Sequence, residues 1–278
     1  MILVSHVRIT IVCAIALVAC SVRYAHAQTY ATPRPVPATT SAPALHRQAV
    51  ERAIVERFHL GLANLAAHDW NAASAEFTAI LALRPNEPQG STAAYDLGLA
   101  QANAGREDDA ATSFALALRR DPKFLAAMAN LIAVDIRRGD LAAARTTADR
   151  FVAVAPASAR ALYSRGLVAL KTGDVATARA DFSKLLHDDP QYAVAHYDLG
   201  IANVQGGDYE AAQREFTNAL DIAPGYARAR FALGTVLLHQ GDRSNARLAF
   251  ERAAKDAGDD ATLRNLAGEM VQAIGSPH

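Results

Sequence analysis

Residue types able to do chemistry are present in this chain, but their spacing assembles no reactive centre. The nine histidines are scattered, and no two share a helix face at the spacing of an HExxH zinc site. His59 and His196 fall inside amphipathic segments and His68 in a turn, where surface or groove histidines are expected rather than metal ligands. Acidic pairs stand at Asp108-Asp109, Asp188-Asp189 and Asp259-Asp260. They fall at turns and segment starts, where carboxylates cap and solvate helices. No second carboxylate is set opposite them, as glycoside hydrolysis requires. A glycine-rich phosphate loop and a Ser-His-Asp order are both missing. With no nucleophile and base to name, the sequence points to a non-catalytic protein that needs no metal and no cofactor.

Composition narrows the class further. Of 278 residues, 51% are apolar, 20% charged and 6% aromatic, so there is ample material for a core. Alanine alone takes 63 positions, which favours helices packed through small faces over sheets rich in β-branched residues. Twenty-eight basic residues balance 28 acidic ones. That excludes the strong basic excess of a dedicated nucleic-acid binder. Only 4 of the basic residues are lysine, so no polylysine tract is available for a membrane surface.

The first 27 residues have the order of a secretory signal peptide. Arg8 precedes an apolar run, Ile9 to Ala19, and small residues occupy Ala25 and Ala27 before an expected cleavage that leaves Gln28 first. The run would rise only about 16 Å as a helix, too short for a stable membrane span. A second processing route stands beside it, because Leu17-Val18-Ala19-Cys20 resembles the lipobox of bacterial lipoproteins and would make Cys20 a lipidation site. The first route predicts a periplasmic or secreted protein; the second predicts an outer-membrane lipoprotein, with membrane contact only through Cys20. Both cysteines, Cys13 and Cys20, belong to this leader, so the folded part carries no disulfide or thiolate site. Residues 28–44 read as a linker, since Pro33, Pro35, Pro37 and Pro43 favour polyproline II and oppose helix.

Downstream the chain repeats every 34 residues. The repeats are 54–87, 91–124, 125–158, 159–192, 193–226 and 227–260, with Pro88-Gln89-Gly90 inserted after the first. Alanine holds position 20 in all six, from Ala73 to Ala246. An aromatic holds position 24 in five (Phe77, Phe114, Phe182, Phe216, Phe250) and proline position 32 in five (Pro85, Pro122, Pro156, Pro190, Pro224). Each repeat contains two amphipathic segments split by a Gly-Asp turn, glycine supplying positive φ at one helix end and aspartate capping the next. The prolines are expected in the first turn of the following helix. Glycines at position 8 let the paired helices close up, and the position-24 ring should fill space against the next repeat. The third repeat differs, with Ile132, Ala148 and Phe151 read as a volume swap within one layer.

This pattern resembles the tetratricopeptide repeat. The resemblance implies an all-α, right-handed solenoid over residues 45–275, ended by a capping helix at 261–274 carrying Leu263, Leu266, Met270 and Ile274. It also implies a ligand groove lined by the first helix of each repeat, at positions 2, 5, 6, 9, 12 and 13. Position 5 would place Phe58, Tyr95, Tyr163, Tyr197 and Phe231 there. Ala129 in the third repeat would leave a recess, with Asn130 and Arg137 at its rim. Such a surface suits another protein or a peptide that buries apolar side chains. The lysine and asparagine set of repeats that clamp acidic chaperone tails is missing. The expected function is a protein-binding scaffold of the bacterial cell envelope, or, if Cys20 is lipidated, an outer-membrane assembly factor of the pilus or secretion type.

Overall fold

The protein is described by a computed structural model covering residues 41–275. The signal-peptide, lipidation and cleavage expectations fall on residues 1–40, outside the described residues. Among the described residues there are thirteen α-helices and no strand. Twelve of them come as six consecutive pairs. These are α1 (Ala42–Ala66) with α2 (Trp70–Ala82), α3 (Gln89–Asn103) with α4 (Glu107–Arg120), and α5 (Leu125–Arg138) with α6 (Leu141–Val154). Then follow α7 (Ala159–Thr172) with α8 (Val175–Asp188), α9 (Ala193–Gln205) with α10 (Tyr209–Ile222), and α11 (Ala227–His239) with α12 (Arg243–Asp256). The last helix is α13 (Ala261–Gly275). Two compact units divide the chain, one reaching Thr147 and the other starting at Ala148, so the division falls inside α6.

Turn chemistry sets the pairing. Gly105, Gly139, Gly173, Gly207 and Gly241 all have positive φ between the helices of a pair, a conformation that costs glycine nothing. The first pair has His68 in that place, at φ 60°. The aspartate that follows caps the second helix: the Ala72 amide donates to Asp69 Oδ1 at 3.0 Å, Ala211 to Asp208 at 2.9 Å and Asn245 to Asp242 at 3.1 Å. Arg106 stands where α4 would have its capping aspartate. There Glu107, Asp108 and Asp109 fill the first turn instead, placing negative charge at the positive end of the helix dipole.

Three details differ from the sequence expectation. The repeat prolines do not open the following helix; Pro122, Pro156, Pro190 and Pro224 lie in the connecting turn, three residues ahead of it. There a missing N–H costs nothing, and the ring stops the preceding helix from continuing. The proline-rich stretch gives way to helix earlier than Leu45, because α1 starts at Ala42 with Pro43 in its first turn, a position where proline is tolerated. The insert after the first repeat lengthens α3 backwards, which begins at Gln89 rather than Ser91.

The core is built from one recurring contact. A Cβ on Gly61, Gly98, Gly166, Gly200 or Gly234 would stand only 2.5–2.9 Å from the ring of Phe77, Phe114, Phe182, Phe216 or Phe250 respectively. The position-24 ring thus lies on the bare backbone of its own partner helix as well as facing the next pair. In the second unit the cluster around Phe182 continues into Ala195, Leu199 and Ala202 of α9. Ile132, Ala148 and Phe151 of the irregular repeat are each buried. At the end of the chain, α13 covers Phe250 with Ala267, Met270, Val271 and Ile274. Leu266, expected in that stripe, faces outward at 41% exposure, since Ala267 takes the inward position beside it.

Two glycines separate contact from helix propensity. Gly200→Ala gains propensity worth about 1 kcal/mol but drives a methyl into Phe216, so a net loss of about 1–3 kcal/mol is expected. Gly268→Ala in α13 meets no neighbouring atom and is expected to stabilise by up to about 1 kcal/mol. Urea denaturation followed by circular dichroism checks both; midpoint shifts of the same sign would show that the ring contact does not set the fit.

Candidate functional site

In the first unit most position-5 and position-6 side chains are turned into the structure. Phe58 is 1% exposed, its ring 6.0 Å from that of Phe77, so it is not an open groove residue. Tyr95 is 4% exposed and lies between Phe114 at 5.7 Å and Phe124 at 4.8 Å. Asn130 Nδ2 donates to Tyr95 Oη at 3.0 Å, which ties α5 to α3 rather than leaving both polar groups at the rim of a recess. Arg137 makes a two-pronged ion pair with Glu107, at 2.6 and 2.8 Å. A guanidinium held in this way is engaged by α4 and is not an open rim group.

The second unit presents more ring surface. There α7, α9 and α11 lie side by side, and Tyr163, Tyr197 and Phe231 are each half-buried. Tyr163 stacks between Phe182 at 5.9 Å and Tyr192 at 5.6 Å. Tyr197 repeats this with Phe216 at 5.9 Å and Tyr226 at 5.2 Å. Phe231 meets Phe250 edge-on at 5.1 Å. Tyr192 and Tyr226 were not singled out from the sequence. They occupy position 34, as does Phe124, and that 34-residue spacing was the signal available; Ser158 interrupts it.

Asp198 sits among these rings. It is 7% exposed, and Tyr163 Oη donates to its Oδ2 at 2.8 Å. Burial pushes its carboxyl up to about 7, against the opposing pull of the Tyr163 hydrogen bond and the Lys171 ammonium. Burial, together with the charge of Asp198, raises the Tyr163, Tyr192 and Tyr226 hydroxyls and pushes Tyr197 up to about 12. The equivalent residue of the first unit, Asp96, is 5% exposed and pushed by burial alone to about 7. Its counterpart one repeat earlier is Phe58, which has no hydroxyl to offer. Among the described residues no three His, Cys, Asp or Glu side chains are grouped to share a metal ion, and no helix is long and apolar enough to cross a membrane.

Successive helix pairs with an aromatic-lined row of first helices define a repeat protein of the interaction type. The tetratricopeptide repeat model matches residues 58–123, 134–193 and 197–262. The chain therefore belongs to the tetratricopeptide repeat family and has its right-handed α-solenoid fold. Solved structures that share the fold include three from bacteria. MamA from Desulfovibrio magneticus RS-1 has 19% identity over 62% of this chain and 97% of its own, with a TM-score of 0.57. TTC0263, a thermophilic repeat protein of Thermus thermophilus, has 21% identity over 66% and 99%, with a TM-score of 0.55. A tetratricopeptide repeat protein of Parabacteroides merdae ATCC 43184 has 18% identity over 81% and 100%, with a TM-score of 0.59. Comparison with curated protein sequences gives no match. Proteins of this family generally serve as non-enzymatic scaffolds that bind other proteins or peptides.

The two buried carboxyls set a pH dependence. Each keeps its proton in the folded state to about pH 7, whereas an unfolded aspartate releases it near 3.8. Between those values the folded state binds more protons, so stability falls as pH rises through the window. Each group contributes on the order of 2–4 kcal/mol across it. Asp96→Asn and Asp198→Asn are expected to flatten the profile and to raise the melting temperature at pH 8 relative to the parent. Parallel melts at pH 5 and pH 8 test this, and an unchanged slope in both variants would contradict it.

Proposed function

We propose that the protein is a non-catalytic scaffold of the bacterial cell envelope that holds a segment of another protein against the first helices of its repeats. The observation that carries this reading is the row of half-buried rings in the second unit, Tyr163, Tyr192, Tyr197, Tyr226 and Phe231, spread over adjacent helices. Rigid aromatic side chains with few rotatable bonds give large contact area at low entropic cost, and they dominate binding energy where they are partly desolvated. The buried Tyr95, Asn130 and Phe58 of the first unit would act here by fixing helix spacing, with Arg137 bracing α5 on α4.

Envelope localisation rests on the leader, where Ala25 and Ala27 offer a signal-peptidase site and Gln28 becomes the first residue. Leu17-Val18-Ala19-Cys20 favours a second version of the same function, an outer-membrane lipoprotein that assembles a pilus or secretion complex while tethered through Cys20.

Two measurements test these statements. N-terminal sequencing and intact mass of the exported protein should show a free start at Gln28; an acylated Cys20, abolished by Cys20→Ser, would replace that version with the tethered one. Peptide-display selection on the full chain should return ligands whose binding weakens by about 2 kcal/mol or more with Tyr197→Ala, as for an interface hot spot. Ligands that bind the folded variant unchanged would remove the ring row from the function.

A further inference from the structure

Three consecutive junctions of the second unit are closed by the same kind of bond. A basic side chain in the first turn of a helix reaches back six residues to the carbonyl of the turn before it. His196 Nε2 lies 3.1 Å from the Pro190 oxygen, Arg230 donates to the Pro224 carbonyl and Arg264 to that of Gly258. His196 and Arg230 also face a carboxylate on the second helix of their own pair. Glu215 Oε2 is 2.6 Å from His196 Nδ1, and Arg230 Nε donates to Asp256 at 3.1 Å. The arginines keep their charge at every working pH, whereas histidine is the side chain type that loses its charge between about pH 5 and 8.

Both ring nitrogens of His196 thus stand against acceptors. A carbonyl oxygen cannot donate, so the bond to Pro190 needs a proton on Nε2, and a carboxylate at 2.6 Å needs one on Nδ1. Only the imidazolium satisfies both. When the ring gives one proton to water, the carboxylate is the stronger acceptor, so the proton on Nδ1 stays and the Pro190 carbonyl loses its donor. Glu215, which also accepts from Asn218 at 3.5 Å, is the one charged group paired with the ring among the described residues. Charges on the neighbouring elements are engaged elsewhere: Lys184 of α8 with the Pro156 carbonyl, Asp181 of α8 with Arg165, Asp189 of the turn with the Gln191 amide, Asp198 of α9 with Tyr163, and Arg228 of α11 with Asp260. His187 and Asp188, at the end of α8, are exposed.

The turn that His196 holds has a long bond of its own. The Tyr192 amide donates to the Asp189 carbonyl at 3.4 Å, against 3.2 Å for Phe124 and 3.0 Å for Tyr226 in the equivalent turns. We propose that His196 is a pH-sensitive latch, tying the Pro190–Tyr192 turn to α9 and α10 when charged and releasing it when neutral. The folded state favours the protonated ring, so the latch contributes at low pH and is lost as pH rises. Tyr192 rides on this turn, and the latch therefore regulates how firmly one ring of the row is held. That last step rests on the scaffold reading; the latch itself does not.

The test follows amide hydrogen exchange in the full chain at pH 5.5 and pH 8.5, corrected for intrinsic exchange rates, with helicity checked for each variant. In the parent, amides 191–196 should lose protection at least about threefold at the higher pH, the scale of one lost hydrogen bond. Amides 225–230, beside Arg230, should not. His196→Arg supplies the side chain that the next repeat uses and should keep the protection at both pH values. His196→Gln, neutral throughout, should show the high-pH behaviour already at pH 5.5. Asp198→Asn should leave the parent's response in place, which separates the latch from the buried carboxyl two residues on. Nitrogen NMR of the imidazole should find both ring nitrogens protonated at pH 5.5 and Nδ1 alone at pH 8.5. A response that persists in His196→Arg or vanishes in Asp198→Asn overturns the proposal, as does a ring whose protonation is the same at both pH values. If exchange responds but no selected ligand depends on Tyr197, the latch stands without the ring row. If Tyr197-dependent ligands are found and exchange does not respond, the scaffold reading stands and the latch is wrong.

Discussion

The contact between a bare glycine backbone and a phenylalanine ring governs this structure. With no Cβ at Gly166, the ring of Phe182 lies against the backbone of α7, and the paired helices close to a distance that any side chain would prevent. The same contact recurs at Gly61, Gly98, Gly200 and Gly234. Because the ring is then fixed in depth, the position-5 residue of the same pair has one place to go, beside it at 5.1–6.0 Å. Helix spacing and ring stacking therefore follow from a single absent methyl group. Close packing of this kind transmits any change in volume to its neighbours.

A helix pair built in this way buries one side and bares the other. Ala195, Leu199 and Ala202 complete the cluster begun by Phe182 and Leu185, so the core of one pair is finished by the next. The last pair has no successor, and α13 takes that place with Ala267 and three larger side chains against Phe250. Its outer face keeps Leu266 and polar residues in water, as a terminal repeat of a linear array must. Two ion pairs act within a single helix pair. Arg165 holds the buried Asp181 through two bonds of 2.7 Å, and Arg57 reaches Glu76 at 2.8 Å, in each case between the two helices of one pair.

Most of the fold was legible in the sequence, because period, turn and core are written in the same frame. Gly173-Asp174 gives a positive-φ turn and a cap, and both formed. The site was legible only in direction. Spacing rules place Phe58 and Tyr95 on one common face of their helices, but they do not say how deeply neighbours cover them. Phe58 is closed in beside Phe77 and Tyr95 beside Phe114 and Phe124. The position-34 rings escape helical periodicity because that position lies outside both helices, at the residue preceding each first helix; Tyr192 and Tyr226 immediately precede α9 and α11. The partner of Arg137, Glu107, is 30 residues away, at a separation no helical pattern exposes.

In two places polar residues on the first helices link consecutive repeats. The position-5 hydroxyl of one repeat meets the position-6 side chain of the next: Tyr95 with Asn130, and Tyr163 with Asp198. Asparagine can donate to a tyrosine oxygen, whereas a carboxylate must accept from it, so the same ring serves as acceptor in one case and donor in the other. Where position 5 is Phe58, there is no hydroxyl to meet the next repeat, and Asp96 remains a buried carboxyl whose acidity is weakened by desolvation. A buried acid without a donor lowers stability wherever it is ionised, and packing alone would favour an apolar residue there. The two aspartates thus differ in kind. Asp198 has one oxygen anchored by the Tyr163 hydroxyl, while Asp96 has no such anchor among the described residues, and its cost falls on the folded state alone.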